Sequence, residues 1–322
     1  MDEFSLIAEI FAPLAGEGAL GLKDDAALIA AKVRPGHDLV VTTDAIAEGT
    51  DFFAFDPPDL VAKKALRVNL SDLAAKGALP HGYLLSIALP PSTTAEWLKM
   101  LAQGLAQDQA QFGVVLLGGD TARTEGPLSI SITAFGLVPE GQMLRRNGAR
   151  PGHDVYVTGT IGDSGGGLAI FKRERHTLMD ELRDLLTGRY RVPQPPVAFG
   201  IALRDVAKAA IDVSDGLVAD LGHMAQASGV GMEIDAAAIP LSPALKAFWG
   251  EGPAAILRAA TAGDDYQIAF TADREGEAFV LARANALNAS VTRIGAVVEG
   301  QGVMLRHEGQ VLAVPSAGYR HF

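Results

Sequence analysis

The chain has 322 residues, 48% of them hydrophobic, with no cysteine and a formal net charge of −11. The length favours two domains over one, and the apolar content suffices for a sizeable core, yet no apolar run approaches a membrane span. The missing cysteines exclude disulfides, thiolate metal sites and thiol nucleophiles and fit a cytosolic location; the acidic balance argues against a broad nucleic-acid surface and leaves room for an anionic ligand bridged by metal ions.

The opening MDEFSLIAEIF carries acidic residues early and no basic region, so it reads as a first helix and not a secretion signal. Asp24-Asp25 precedes the apolar run Ala26–Ala30. Leu39–Thr43 reads as a strand ending in Asp44. Pro58–Ala75 is predicted helical, with Leu60, Val61, Ala65, Leu66, Val68 and Leu73 spaced for one face. Tyr83–Leu89 reads as a strand stopped by Pro90-Pro91, after which Ser92 or Thr93 caps a helix running to about Phe112. Val114–Leu117 is expected to be a buried strand, followed by Gly118-Gly119-Asp120-Thr121, and Leu128–Leu137 alternates as another strand. The turn-rich Gly148–Gly152 divides the chain into 1–147 and 148–322. Beyond it come the strand Val155–Thr158, the Gly-rich turn Gly159–Gly167, a helix and the Pro-rich Pro193–Pro196. Ala209–Val213 then leads through Ser214-Asp215-Gly216 into the helix Leu217–Ser228, and both halves read as α/β. A short echo links Asn69–Leu73 with Asp212–Gly216.

The informative pattern is the placement of carboxylates. Asp24, Asp25, Asp44, Asp72, Asp120, Asp212 and Asp215 sit at the predicted ends of elements, where α/β folds bind ligands. Hard cations such as Mg²⁺ take oxygen ligands and substrate phosphates, and phosphoryl transfer uses them to neutralise and align the reacting groups. Small neighbours (Ser71, Gly118, Gly119, Ser214, Gly216) allow close approach of a polyphosphate. Any one of these aspartates could equally be a helix cap or turn residue, Asp25, Asp72 and Asp215 above all. The Gly159–Gly167 turn could cradle a phosphate at a helix N-terminus, but it has no Gly-Lys-Ser/Thr, and a simple tight turn explains it as well. Arg145-Arg146 reads as a solvated basic pair or a phosphate contact, and Phe52-Phe53-Phe55 as core, interface or ligand stack.

In order, Gly21-Leu22-Lys23-Asp24-Asp25-Ala26-Ala27, Thr42-Thr43-Asp44 with Glu48-Gly49, Arg67–Ala75, Gly118-Gly119-Asp120-Thr121, Gly148–Gly152, Asp212–Leu217, Gly263-Asp264-Asp265-Tyr266 and Gly318-Tyr319-Arg320-His321-Phe322 resemble the thiamine-monophosphate kinase family along nearly the whole chain. That resemblance implies the two-domain α/β (α+β) fold shared with aminoimidazole ribonucleotide synthetase, with the N-terminal domain pairing in a homodimer. It implies direct transfer of the ATP γ-phosphoryl group to thiamine monophosphate in the cytoplasm, with several Mg²⁺ ions and no membrane or nucleic-acid partner. Position by position, it implies Asp24, Thr42, Thr43, Asp44, Asp72, Asp120, Asp212 and Asp215 as the metal set, with Asp120 and Asp212 as catalytic residues. It further implies Gly119, Asp120, Arg146 and Ser214 as ATP contacts and Asp51, Asp264 and Tyr319 as acceptor contacts. The departures gather on the acceptor side: Asp51 stands for a histidine, Asp264 and Gln267 for glutamates, and Tyr319 for tryptophan or phenylalanine, while Lys23 replaces a glycine and Lys76 a methionine. The missing cysteines set the chain apart from selenophosphate synthetase and the hydrogenase-maturation member of the same superfamily; a nucleotide-binding module without catalysis is the alternative of a different class.

Overall fold

The computed structural model describes residues 27–29, 34–174 and 177–319. The expected first helix, Lys23, Asp24, Asp25, His176 and the terminal Arg320-His321-Phe322 lie outside the described residues.

The first half is built on a five-stranded sheet in the order β1-β2-β5-β3-β4: β1 (Ala27–Ile29), β2 (His37–Ala47), β3 (Leu79–Leu89), β4 (Val115–Arg123) and β5 (Ser129–Pro139). The helix predicted over 58–75 forms as α1 (Pro58–Ala75), with proline in the first turn, where its missing N–H costs no hydrogen bond. Helix α2 (Ala95–Phe112) is capped neither by Ser92 nor by Thr93 but by the next residue, Thr94, its hydroxyl accepting from Trp97 N at 3.1 Å. This helix makes the crossover that lets β3 and β4 run parallel.

Two strand expectations need correction. β2 does not stop at Thr43; it stays paired with β5 from His37↔Pro139 to Ala47↔Ser129, so Asp44 lies inside the strand. β4 is not buried. It extends through the Gly-Gly-Asp-Thr segment to Arg123 at the sheet edge, and every residue of it is exposed. Val115, Leu116 and Leu117 are 52%, 47% and 54% exposed, because β3 pairs it on one side and no strand among the described residues pairs it on the other. Gly119 is required there, since a Cβ would lie 1.8 Å from the Leu85 carbonyl oxygen.

The second half carries a seven-stranded sheet in the order β12-β11-β8-β10-β6-β9-β7: β6 (Asp154–Thr158), β7 (Ala207–Val213), β8 (Gly231–Asp235), β9 (Gln267–Ala272), β10 (Val291–Val298), β11 (Gly302–His307) and β12 (Gln310–Val311). Around it run α3 (Asp163–Phe171), α4 (Asp180–Arg191), α5 (Val197–Ala202), α6 (Leu217–Ser228), α7 (Pro243–Trp249), α8 (Pro253–Ala260) and α9 (Glu277–Ala286). Both halves thus mix sheet and helix as expected. The echo between 69–73 and 212–216 is not a structural repeat, since the first lies on α1 and the second ends β7.

Helix α1 joins the halves. It packs on β2, β5 and α2 of the first and on β7, β9 and α5 of the second. Covered on both sides, it buries Lys64, Arg67, Asn69 and Ser71, which a one-faced amphipathic helix would expose. Gly200 of α5 sits so close to it that a Cβ would approach the Ala74 carbonyl oxygen to 2.0 Å. Arg67 is answered by Asp108 of α2 through two bonds of 2.7 and 2.8 Å.

Candidate active site

The alternation of β2 sends Thr42 and Asp44 toward α1 and Thr43 to the opposite face. Thr43 is exposed there and bonded to Thr133 at 3.1 Å. Thr42 is buried, and its hydroxyl donates to Asp72 Oδ2. Asp44 N donates to Asn69 Oδ1 at 3.0 Å. Immediately before Asp72, Ser71 donates to Asp212 Oδ2 at 2.8 Å across the junction of the halves. The last turns of α1 therefore draw β2 and the end of β7 together and bring Thr42, Asp44, Asp72 and Asp212 into one group. Asp72 lies in the last turn of its helix, so it is not a cap.

These carboxylates press on one another. Burial pushes the Asp72 carboxyl well above the usual range, Asp44 and Asp212 add to the rise, and the Thr42 hydroxyl and Lys76 oppose it. Burial also raises Asp212 to about 6, against the Ser71 hydrogen bond, with Asp44 raising it and Arg146 and Lys76 lowering it. Such a group is short of positive charge, and its donors are all oxygen. Both features fit a divalent hard cation.

Beyond Asp212, the main-chain N–H groups of Ser214, Asp215 and Gly216 all donate to Asp220 Oδ2 at 3.1 Å. Asp220, in the first turn of α6, locks this loop from below; burial raises its carboxyl, helped by Asp212 and Asp215. Ligand atoms of Asp215, Asp220 and His223 lie within 4.8 Å of one another, and burial, with Arg146, lowers the His223 imidazole. Arg146 thus stands beside Asp212, Asp220 and His223. Asp220 was missed in the sequence, where it reads as an ordinary first-turn acid favoured by the helix dipole.

The acceptor-side residues attach to the same loop. Asp264 N donates to Ser214 O at 2.7 Å, and Tyr319 N to Asp215 O at 2.9 Å. Asp264 has φ 67° and accepts from Tyr266 Oη at 3.1 Å and from Lys64 Nζ at 3.2 Å. Lys64 also donates to Asp51 O at 2.8 Å and lies 3.8 Å over the Tyr190 ring, whose hydroxyl donates to Asp51 O at 3.0 Å. Asp51 Oδ2 accepts from Ala47 N at 2.8 Å, so this carboxylate shapes its own turn. Phe52 is core, whereas Phe53 and Phe55 stack at 5.0 Å. The Tyr319 ring is half exposed.

Two expected features stand elsewhere. The amides that open α3 are filled by the chain itself, with Gly162 N donating to Asp265 Oδ2 at 2.7 Å and Ser164 N to Asp265 Oδ1 at 3.4 Å. The Gly-rich segment is therefore a capped tight turn and not a phosphate cradle. A cavity of about 130 Å³ opens beside it, bordered by Ser164, Arg189, Gln194, Asp264 and Gln267. Gly119 and Asp120 lie on edge strand β4, remote from the carboxylate group. Asp44 faces Ile132, Ile132 faces Leu85, and Leu85 faces Gly119, so three strand spacings of about 14 Å in all separate the two ends of that row.

Comparison with known proteins finds the model for the N-terminal domain of AIR synthase related proteins over residues 23–138 and that for their C-terminal domain over 150–308. A thiamine-monophosphate kinase of Caulobacter vibrioides is 43% identical over 99% of this chain and 90% of its own. Among solved structures, AaThiL complexed with AMPPCP and TMP superposes with a TM-score of 0.86 at 32% identity, over 100% of this chain and 97% of the other. The thiamine-monophosphate kinase from Stenotrophomonas maltophilia K279a gives 0.80 at 39% identity, over 96% and 98%.

Proposed function

Because the chain belongs to the thiamine-monophosphate kinases of the AIR synthase related family, we propose that it transfers the γ-phosphoryl group of ATP to thiamine monophosphate, forming thiamine diphosphate and ADP. The observation that carries this reading is the convergence of Asp44, Asp72 and Asp212 from both halves of the chain onto one part-buried, electron-rich point. Similarity over the full length to kinases of this specificity supports the choice of acceptor.

Asp44, Asp72, Asp212 and Thr42 would hold magnesium, with Asp24 added by the resemblance and Asp215, beside Asp220 and His223, bordering a second position. When bound, Mg²⁺ offsets the repulsion between two polyanionic reactants and orients the transferred group. The chain does the rest by position. Ser71 fixes Asp212, Asp220 fixes the 214–216 loop, and Arg146 places a permanent cation on the nucleotide side. Lys64 ties Asp51 to Asp264 on the acceptor side, where the 130 Å³ cavity and the Tyr319 ring offer room and a face for the thiamine moiety. An acceptor phosphate oxygen attacks the γ-phosphorus as the bond to the β-bridging oxygen breaks. The attacking oxygen is already ionised, so no general base is needed.

The exposed edge β4 supports a homodimer in which Gly119 and Asp120 of the partner subunit complete the site, since the 14 Å row keeps them from reaching it within one chain. The split at 148 is likewise our reading of the two sheets. No helix among the described residues is long and apolar enough to cross a membrane; use of ATP supports a reaction in the cytoplasm. Purified protein given ATP, Mg²⁺ and thiamine monophosphate should form thiamine diphosphate. Nucleotide binding without product would overturn the assignment and leave a nucleotide-binding module.

A further inference from the structure

Ser164, the second residue of α3, is 1% exposed and borders the 130 Å³ cavity. Its main-chain N–H is taken by Asp265 Oδ1, but its hydroxyl bonds to no group among the described residues. A buried hydroxyl without a partner costs free energy, so its presence calls for a reason. The carboxylates that share the cavity wall are engaged with the chain itself. Asp163 accepts from Ser242 Oγ at 2.5 Å and from Thr160 Oγ1 at 2.6 Å, and Asp265 accepts from Gly162 N and Ser164 N. Asp264, whose N–H donates to Ser214 O two residues beyond Asp212, also borders the cavity and places it beside the carboxylate group.

The cavity has room for one ring and not two: an engineered cavity of about 150 Å³ takes up a single benzene. Thiamine offers a thiazolium, which is a cation with no hydrogen-bonding edge, and a neutral aminopyrimidine with two ring nitrogens and an amino group. Arg189 on the cavity wall disfavours the cation, and the Ser164 hydroxyl favours the ring with a polar edge. We propose that this cavity is the aminopyrimidine subsite of the acceptor, with the Ser164 hydroxyl as the specificity-determining group that bonds the polar edge of that ring. The thiazolium then lies toward Asp264 and the phosphate toward the magnesium group. The inference rests on thiamine monophosphate being the acceptor.

Calorimetry of thiamine monophosphate binding, with AMPPCP and Mg²⁺ present, reads the subsite without turnover. Ser164→Ala should weaken that binding about tenfold and leave AMPPCP binding unchanged. The ligand-free variant should melt no lower than the parent, since the hydroxyl has no partner to lose. Three analogues of thiamine monophosphate, each with one polar group of the aminopyrimidine removed (either ring nitrogen or the amino group), locate the bond. The parent should bind one of them about tenfold more weakly than thiamine monophosphate, and Ser164→Ala should bind that one as well as the parent does. Unchanged affinity for thiamine monophosphate in the variant overturns the proposal, as does a variant that melts lower and loses all three analogues alike. Equal binding of the three analogues by the parent overturns it whether or not the variant folds. Parent protein that selects among the analogues yet forms no thiamine diphosphate refutes the kinase reading and leaves the subsite standing; parent that binds no thiamine monophosphate refutes both.

Discussion

Asp120→Asn and Asp212→Asn, made in separate chains and then mixed, test whether the site is shared between subunits. Each pure variant should retain less than about 1% of parental turnover, as expected for loss of a group that aligns phosphoryl transfer. The geometry sets the outcome of mixing. Two carboxylates on one Mg²⁺ sit within about 4 Å of each other, each oxygen being about 2 Å from the ion, whereas the row from Asp44 to Gly119 spans about 14 Å. In a mixed dimer, the Asp120→Asn chain keeps an intact Asp212 group and meets an intact Asp120 of the partner subunit. One of its two sites is then whole. Random exchange makes half the dimers mixed, so an equimolar mixture should regain about a quarter of parental activity. The assay is thiamine diphosphate formation after exchange, with mixed dimers confirmed by native mass spectrometry. Mixing Asp44→Asn with Asp212→Asn should regain nothing, because both residues belong to one group. No recovery in the first mixture, with exchange confirmed, would refute the shared site.

Ser71→Ala strands Asp212 Oδ2 without its buried donor and should cost about 1–3 kcal/mol in metal-free denaturant unfolding. The Asp212 carboxyl, raised from 3.8 to about 6 in the folded chain, binds its proton more tightly folded than unfolded. Metal-free stability should therefore fall as pH rises from about 4 to above 6, by on the order of 3 kcal/mol from this group; melting curves in EDTA that rise over that window would contradict it. Arg67→Met leaves the buried Asp108 carboxylate unanswered and should destabilise by about 3–5 kcal/mol, with Asp108→Asn in the same chain recovering part of the loss.

What the sequence disclosed followed the reach of local signals. The helix over 58–75 was legible because proline opens it and its apolar spacing is regular, and Asp72 and Asp212 were legible because both flank small polar residues beside apolar runs. The burial of β4 was misread. Val115, Leu116 and Leu117 look like core in one dimension, and only the strand order reveals an edge with no further strand among the described residues. Asp44 was expected at a strand end because Thr43 closes the apolar run, but pairing with β5 carries the strand three residues further. Lys64, Lys76 and Asp220 were invisible as site residues, since their partners lie 200, 134 and up to 6 positions away and a lysine on a helix reads as a solvated face. The filled turn before α3 depended on Asp265, about a hundred residues downstream.

Helix α1 carries Lys64, Ser71 and Asp72, with Lys76 at its end: Lys64 meets the turn at Asp51, Asp72 meets β2, and Ser71 and Lys76 both meet β7. Insertion of a single residue between Lys64 and Ser71 would turn everything after it by about 100° and advance it by about 1.5 Å, so Lys64 would keep its hold on Asp51 while Ser71 swung away from Asp212. The loops of this chain can absorb changes of length, but this helix cannot. A library of single-residue insertions and deletions along the chain should leave α1 empty of active members while the turns around Glu140 and Gly300 fill.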